Sequence, residues 1–327
     1  MNASTLLGVP AVEDGLARLE PALIDAVTSG DTFLDEVTTH LIKGGGKRLR
    51  PILTIASATG CVGEASEDDI LGAVSVELVH QASLYHDDVI DEAVMRRQVE
   101  SVNARWGNLV AIVAGDFLLA RSAEIAASLG QEVAALLANT LARLCEGQLI
   151  EIRSKFSIDR TETDYFETIT GKTSSLMAAA CRVGAITSHR NRDEVEALTL
   201  FGQLFGMVFQ IRDDTLDVIA TEKELGKPAG QDLAEGVYTL PVLIALADES
   251  AGPALRGLLG KPLSPEEIEE ARAIVAGSGA IEATLAIGNK FVQQAEEAAM
   301  SAPTPELGRA LTDLTRTLMD DLVVPAP

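Results

Sequence analysis

Leu84–Arg97 reads LYHDDVIDEAVMRR. Three aspartates, Asp87, Asp88 and Asp91, fall within five positions, directly after an apolar run and before the pair Arg96–Arg97. In a helix, positions i, i+1 and i+4 share one face, so the spacing predicts three carboxylates crowded together. Like charges so placed cost about 0.2–0.5 kcal/mol per pair on an exposed helix, and more when partly buried.

A solvated acidic face is the plain reading of one such cluster. Two features stand against it here. HDDVID at 86–91 recurs as RDDTLD at 212–217, which sets Asp213, Asp214 and Asp217 at the same spacing. Both clusters also lie inside apolar runs, LVHQASLYHDDVI and LFGMVFQIRDDTLDVIA, where a solvated face would show other polar positions. Carboxylates without histidine or cysteine at ligand spacing suit a hard cation. Magnesium is the expected one, held by one or two carboxylates per ion with waters and substrate phosphates.

Outward from this stretch the pattern is helical nearly throughout. Leu71, Val74, Leu78, Gln81 and Ala82 follow helical spacing. Ser264-Pro265-Glu266-Glu267 is a capping box with proline at the first helical position, and Thr304-Pro305-Glu306 opens another helix. The 327 residues are 47% hydrophobic and only 4% aromatic, which favours helices over a sandwich or barrel. Glycine loops are short, at 44–46, 226–230 and 277–279, and no linker composition marks a boundary. One all-α domain over residues 1–327 is expected.

The net charge of −23 repels nucleic acid and anionic lipid. A phosphorylated substrate would be repelled too, unless local cations or metal reverse the field. Such cations are present. KGGGKRLRP at 43–51 puts Lys43, Lys47, Arg48 and Arg50 within eight positions around three glycines, although only 26 basic residues serve the whole chain. Glycine lets backbone approach an anion, and turn amides bind it. GKT at 171–173 has the end of a P-loop, but Phe166 stands where its first glycine belongs and no strand pattern precedes it. A nucleotide loop is therefore excluded, while Lys172 and Thr173 remain phosphate donors.

Cys61, Cys145 and Cys181 are scattered singly, which points to a reducing cytoplasm. The first twenty residues lack the order of a signal peptide. The uncharged run Ala197–Ile211 is too short to span a bilayer and reads as a buried helix.

In their order, GGGKRLRP, HDDVIDEAVMRR, GKTSSL, FQIRDDTLD and GKPAGQDLAEG resemble the trans-isoprenyl diphosphate synthases, over residues 20–315. The resemblance implies long antiparallel helices around a central cavity, and a homodimer. It implies condensation of isopentenyl diphosphate with an allylic diphosphate. Three magnesium ions held by the two aspartate motifs draw diphosphate from the allylic substrate, the isopentenyl double bond attacks the carbocation, and a proton is lost to the departing diphosphate. Carried over by motif, Lys47, Arg50, His80 and Arg97 hold isopentenyl diphosphate. Asp87, Asp91 and Asp213 are the main metal ligands, with Asp88, Asp214 and Asp217 supporting. Arg96, Lys172, Thr173, Gln210 and Lys227 contact the allylic diphosphate. Many members have lysine in EGK-T-LP where this chain reads EGVYTLP, so Val237 removes one cation from the allylic side.

Three competitors share features of this pattern. Terpene cyclases have the fold but a different second metal motif and no isopentenyl site. Non-catalytic subunits of two-component synthases lose the aspartates, and all six are kept here. A short-chain synthase differs only in product. Ser83 and Ala82, four and five residues before Asp87, are small where members that stop near farnesyl carry an aromatic. A medium- or long-chain product is expected, although small residues at these positions also permit close helix packing.

Overall fold

The computed structural model describes residues 6, 8–221, 229–320 and 322; Lys227 lies outside them. The described helices run α1 Pro10–Val27, α2 Thr32–Lys43, α3 Leu49–Thr59, α4 Glu67–Ile90, α5 Val102–Trp106, α6 Asn108–Ser128, α7 Gln131–Ser154, α8 Glu162–Ile169, α9 Ser175–Thr187, α10 Arg192–Ile219, α11 Gln231–Glu235, α12 Leu240–Ala247, α13 Gly252–Leu258, α14 Pro265–Gly277, α15 Ala280–Ala299 and α16 Pro305–Asp320. A π-helical turn, Thr170–Ser174, joins α8 to α9.

Several starts are set by side chains. Ser66, Thr161, Asn191 and Ser264 each accept the N–H three residues on, and Asp69, Asp164, Glu194 and Glu267 return the bond. The Ser264 box and the helix opened by Thr304, whose hydroxyl accepts Leu307 N–H at 3.1 Å, agree with the sequence reading.

Helices α3, α4, α9 and α10 form the centre. Helix α9 packs against α3, α4 and α10, while α6 covers α4 and α15 covers α10. Helix α4 buries residues around its whole circumference, among them Val74, Val76, Leu78 and Val79, as expected of a helix enclosed by others. The Ala197–Ile211 run lies inside α10 as a mostly buried helix. Two apolar clusters fill the interior. One is centred on α3, α4 and α9, and the other gathers Tyr165, Ile211, Tyr238 and Leu240 with the helices after residue 230. No single described helix is long and apolar enough to cross a membrane.

Two local features depart from the sequence reading. Helix α4 stops at Ile90, so Asp91 is its C-cap (φ −95°, ψ 3°) rather than a helical residue. Beyond it, Met95–Arg96 and Val99–Glu100 form a small antiparallel hairpin. Its two turn residues, Arg97 (φ 51°) and Gln98 (φ 65°), are left-handed. Non-glycine residues hold that conformation at a cost of roughly 1–2 kcal/mol each, which the surrounding contacts must offset.

Candidate active site

The aspartate clusters sit at the C-terminal ends of the two longest central helices. Asp87 and Asp88 fall in the last turn of α4, and Asp213, Asp214 and Asp217 in the last two turns of α10. A helix C-terminus carries about half a negative charge, so both clusters stand where the backbone field opposes them. Between them lies a cavity of about 1040 Å³, lined by Asp87 and Asp91 on one side and Asp213 and Asp214 on the other. Burial pushes the Asp87 carboxyl up to about 6, with Lys172 opposing and Asp91 reinforcing the shift. Burial likewise pushes Asp214 up to about 7 against the hydrogen bonds it accepts.

Asp214 is held from two sides. Tyr165 hydroxyl donates to Oδ2 at 2.6 Å, and Gln210 Nε2 donates to Oδ1 at 2.7 Å. Gln210 Oε1 in turn accepts from Thr173 hydroxyl at 2.7 Å, so the chain reaches the π-turn that carries Lys172. That turn approaches α7 closely because two glycines face each other. A Cβ on Gly171 would lie 2.6 Å from Arg143 O, and one on Gly147 would lie 2.7 Å from Lys172 N. The approach lets Lys172 Nζ donate to Glu151 Oε1 at 2.6 Å. Burial works against the Lys172 charge, but Glu151 and Asp87 beside it hold the ammonium above its ordinary value.

The first cluster meets the hairpin. Arg96 Nε donates to the wholly buried Asp88 Oδ1 at 2.7 Å, and Lys155 Nζ lies 3.2 Å from Asp91 Oδ1. Arg97 turns the other way, onto Gly45 O and, at 3.5 Å, His80 Nε2. The glycine loop makes room for it, since a Cβ on Gly46 would fall 2.7 Å from the guanidinium. Arg50 lies beside Arg97, with Nε buried and unpartnered. Burial and the neighbouring Arg97 lower its pKa to about 10, which leaves it charged at neutral pH. Burial, then Arg50 and Arg97, hold His80 well below its usual value, so the ring is neutral.

The sequence-selected residues therefore separate. Lys47, Asp87, Asp91, Arg96, Arg97, Lys172, Thr173, Gln210, Asp213 and Asp214 share the cavity wall. Arg50 and His80 stand behind Arg97. Asp88 is turned onto Arg96, and Asp217 accepts from the N–H groups of Gln231 and Asp232 at 3.3 and 3.1 Å, anchoring the start of α11. Ala82 is fully buried in the apolar core, Ser83 hydroxyl donates to His80 O at 2.8 Å, and neither lines the cavity. Arg48, from the same basic stretch, is structural: it pairs with Glu20 at 2.8 Å and the buried Glu77 at 2.9 Å. The sequence reading missed Glu151, Arg160 and Tyr165, which line the cavity, and Lys155, which pairs with the lining Asp91. They sit in no recognisable motif, and only the packing of α7 and α8 brings them to the site.

The donor set fits a hard divalent cation. Asp87, Asp91, Asp213 and Asp214 offer carboxylate oxygens to one cavity, and cations ring them. Among the described residues no three His, Cys, Asp or Glu side chains converge into a closed cage.

A helical cup with carboxylates from two helix ends facing lysines and arginines belongs to enzymes that bind anionic substrates through hard cations. Residues 31–275 match the polyprenyl synthetase family. The heptaprenyl diphosphate synthase component 2 of Geobacillus stearothermophilus is 38% identical over 305 residues, covering 93% of this chain and 94% of its own. The nonaprenyl diphosphate synthase of Mycobacterium tuberculosis is 38% identical over 308 residues, covering 93% and 91%. Among solved structures, a Caulobacter crescentus polyprenyl synthase complexed with calcium and isoprenyl diphosphate superposes with TM-score 0.90 at 30% identity, covering 97% of each chain. A decaprenyl diphosphate synthase from Rhodobacter capsulatus does so with TM-score 0.90 at 33% identity, covering 98% of this chain and all of its own. The chain belongs to the polyprenyl synthetase family; it has the all-α isoprenoid synthase fold and is a prenyltransferase.

Proposed function

We propose that the chain, as one catalytic unit, condenses isopentenyl diphosphate with an allylic diphosphate and releases an all-trans prenyl diphosphate longer than farnesyl. The observation that carries this reading is one shared cavity lined by Asp87, Asp91 and Asp213 together with Lys47, Arg96, Arg97 and Lys172. Magnesium, three ions in the family pattern, supplies Lewis-acid stabilisation of the departing diphosphate when bound. The residues present would hold it through Asp87, Asp91 and Asp213. Lys172, with Thr173, Gln210 and Arg96, orients the allylic diphosphate, while Lys47, Arg50 and Arg97 orient the isopentenyl diphosphate. Neutral His80 offers an uncharged ring nitrogen beside Arg97.

The heptaprenyl, nonaprenyl and decaprenyl names of the relatives support the long product. Purified protein with magnesium, isopentenyl diphosphate and farnesyl diphosphate should yield longer prenyl diphosphates by mass spectrometry. A cyclised hydrocarbon, or arrest at farnesyl from shorter starters, would refute the assignment. Ser83→Phe sharpens the product question better than Ala82→Phe. Ala82 is enclosed in the core, where an added ring overpacks. Ser83 is half-buried and outside the cavity wall, so shorter products from Ser83→Phe would place the growing chain beyond that wall, and unchanged products would reject that path.

The assembly reading is a homodimer in the cytoplasm. Helix α6 is apolar nearly all round, yet Leu109, Ile112 and Val113 are exposed, as are Leu149 and Ile152 on the adjacent α7. Patches of this kind mark interfaces. A second reading has one specific support: two relatives are each component 2 of a heptaprenyl diphosphate synthase. A different polypeptide would then be required, and full activity of the purified chain alone rejects it.

A further inference from the structure

We propose that Arg160 is a positioning residue of the allylic side: from within the cavity wall it supplies a fixed positive charge that draws and orients the diphosphate of the allylic substrate. The inference rests on the prenyltransferase reading of the same site. Arg160 lies between α7 and α8, at the end of the stretch FSIDR, and outside every motif read from the sequence. It lines the cavity together with Glu151, Tyr165, Thr168, Lys172 and Asp214. Only 7% of it is exposed. Its guanidinium is fixed from two sides, Nη1 donating to Tyr238 O at 3.0 Å and Nη2 to the Thr168 hydroxyl at 3.0 Å. The guanidinium carbon lies 5.9 Å from the centre of the Tyr165 ring, whose hydroxyl holds Asp214.

What this guanidinium lacks is a counter-ion. Lys172 is bonded to Glu151 and Arg96 to Asp88, so those two cations of the wall each have a carboxylate. Arg160 is bonded to two neutral oxygens, and its Nε is buried without a partner. Among the described residues no carboxylate pairs with it. Arginine keeps its charge at any ordinary pH. Burying that charge is costly when no carboxylate is bonded to it. Hydrogen bonds to a carbonyl and a hydroxyl account for a strut, but a neutral donor would make them as well, so they do not account for the charge. Burial lowers the Arg160 pKa, and Glu151 and then Asp214 oppose the shift, so the charge acts on the cavity through space. Glu151 bonds Lys172, and Asp214 bonds Gln210, which sets the field on the allylic side rather than on Lys47 and Arg97. The plain alternative is a strut that ties Tyr238, between the lining residues Val237 and Thr239, to α8.

Two substitutions separate the readings. Arg160→Gln keeps a donor for Tyr238 O and removes the charge, whereas Arg160→Lys keeps the charge and loses the fork that spans Tyr238 and Thr168. With folding matched to the wild type by circular dichroism, Arg160→Gln should raise the allylic KM about 10-fold and weaken inorganic diphosphate, titrated calorimetrically with magnesium, by a similar factor. The KM for isopentenyl diphosphate should stay within about twofold. Arg160→Lys should bind inorganic diphosphate within about threefold of the wild type. Unchanged diphosphate affinity in Arg160→Gln overturns the proposal, as does an equal rise in both Michaelis constants. A loss of about 10-fold in folded Arg160→Lys overturns it too, because the fork and not the charge would then be what matters. If Arg160→Gln does not fold, the lysine variant decides alone. If the wild type extends no allylic diphosphate, the functional reading fails on its own, and the calorimetric comparison still decides the role of Arg160.

Discussion

The two aspartate clusters have one spacing and two settings. At the first, α4 ends inside the motif, so Asp91 becomes a cap on the cavity edge with Lys155 against it. At the second, α10 continues to Ile219, so Asp217 remains helical and points past the cavity to anchor α11. The middle aspartates differ as well. Asp88 accepts from a mobile-length arginine, Arg96, whereas Asp214 accepts from the neutral Tyr165 and Gln210. A guanidinium bonded to Asp88 opposes the upward shift that burial causes there, whereas the hydrogen bonds to Asp214 come from neutral groups, with Arg160 nearby. Burial pushes the Asp214 carboxyl up to about 7, so at neutral pH it is partly protonated and carries less than a full negative charge. Equal spacing does not confer equal roles, because helix length and the neighbouring element decide which carboxylate faces the substrate.

The largest effects should come from the positions the clusters share. Asp87→Ala and Asp213→Ala should each lower kcat/KM by about 10³-fold or more while the proteins stay folded by circular dichroism. A chelator should abolish wild-type turnover, and magnesium should restore it. Full turnover by either variant would break the equivalence of the two clusters.

A smaller effect divides the cations between the substrates. Arg50→Ala should raise the KM for isopentenyl diphosphate, and Lys172→Ala that for the allylic diphosphate, by roughly 1.5–3 kcal/mol each. Equal shifts of both constants in both variants would merge the two halves of the site.

The smallest change tests the asymmetry directly. Asp217→Ala removes the acceptor for two backbone N–H groups and should cost about 1–2 kcal/mol of stability, read as a lower midpoint in urea. Its activity loss should be smaller than that of Asp213→Ala. A loss as deep as Asp213→Ala at unchanged stability would show Asp217 acting on metal like its counterparts.

Much of this site is legible in the chain itself. Helical periodicity, the Ser264 capping box and the repeated aspartate spacing are local properties, readable within a few residues. So is the basic glycine loop, and Lys47 and Arg97 do share its corner of the cavity. Residues recognised through several partners at once were not readable. Arg48 stands in the same basic stretch as Lys47 and Arg50, but its left-handed backbone and the buried Glu77 turn it into the core. Ala82 has a residue type that fits an open tunnel or a close helix contact equally, and its burial alone does not distinguish them.

By itself, the order of motifs determined the family, the helical class and the need for a cation between two carboxylate groups, since each depends on residue type and spacing. Only the tertiary structure decided which of the six aspartates face the cavity, and that Glu151, Arg160 and Tyr165 complete its wall. Those relations depend on where α4 stops and how closely glycines let α7 approach the π-turn. Contacts between residues so far apart in the chain exist only once the helices have packed.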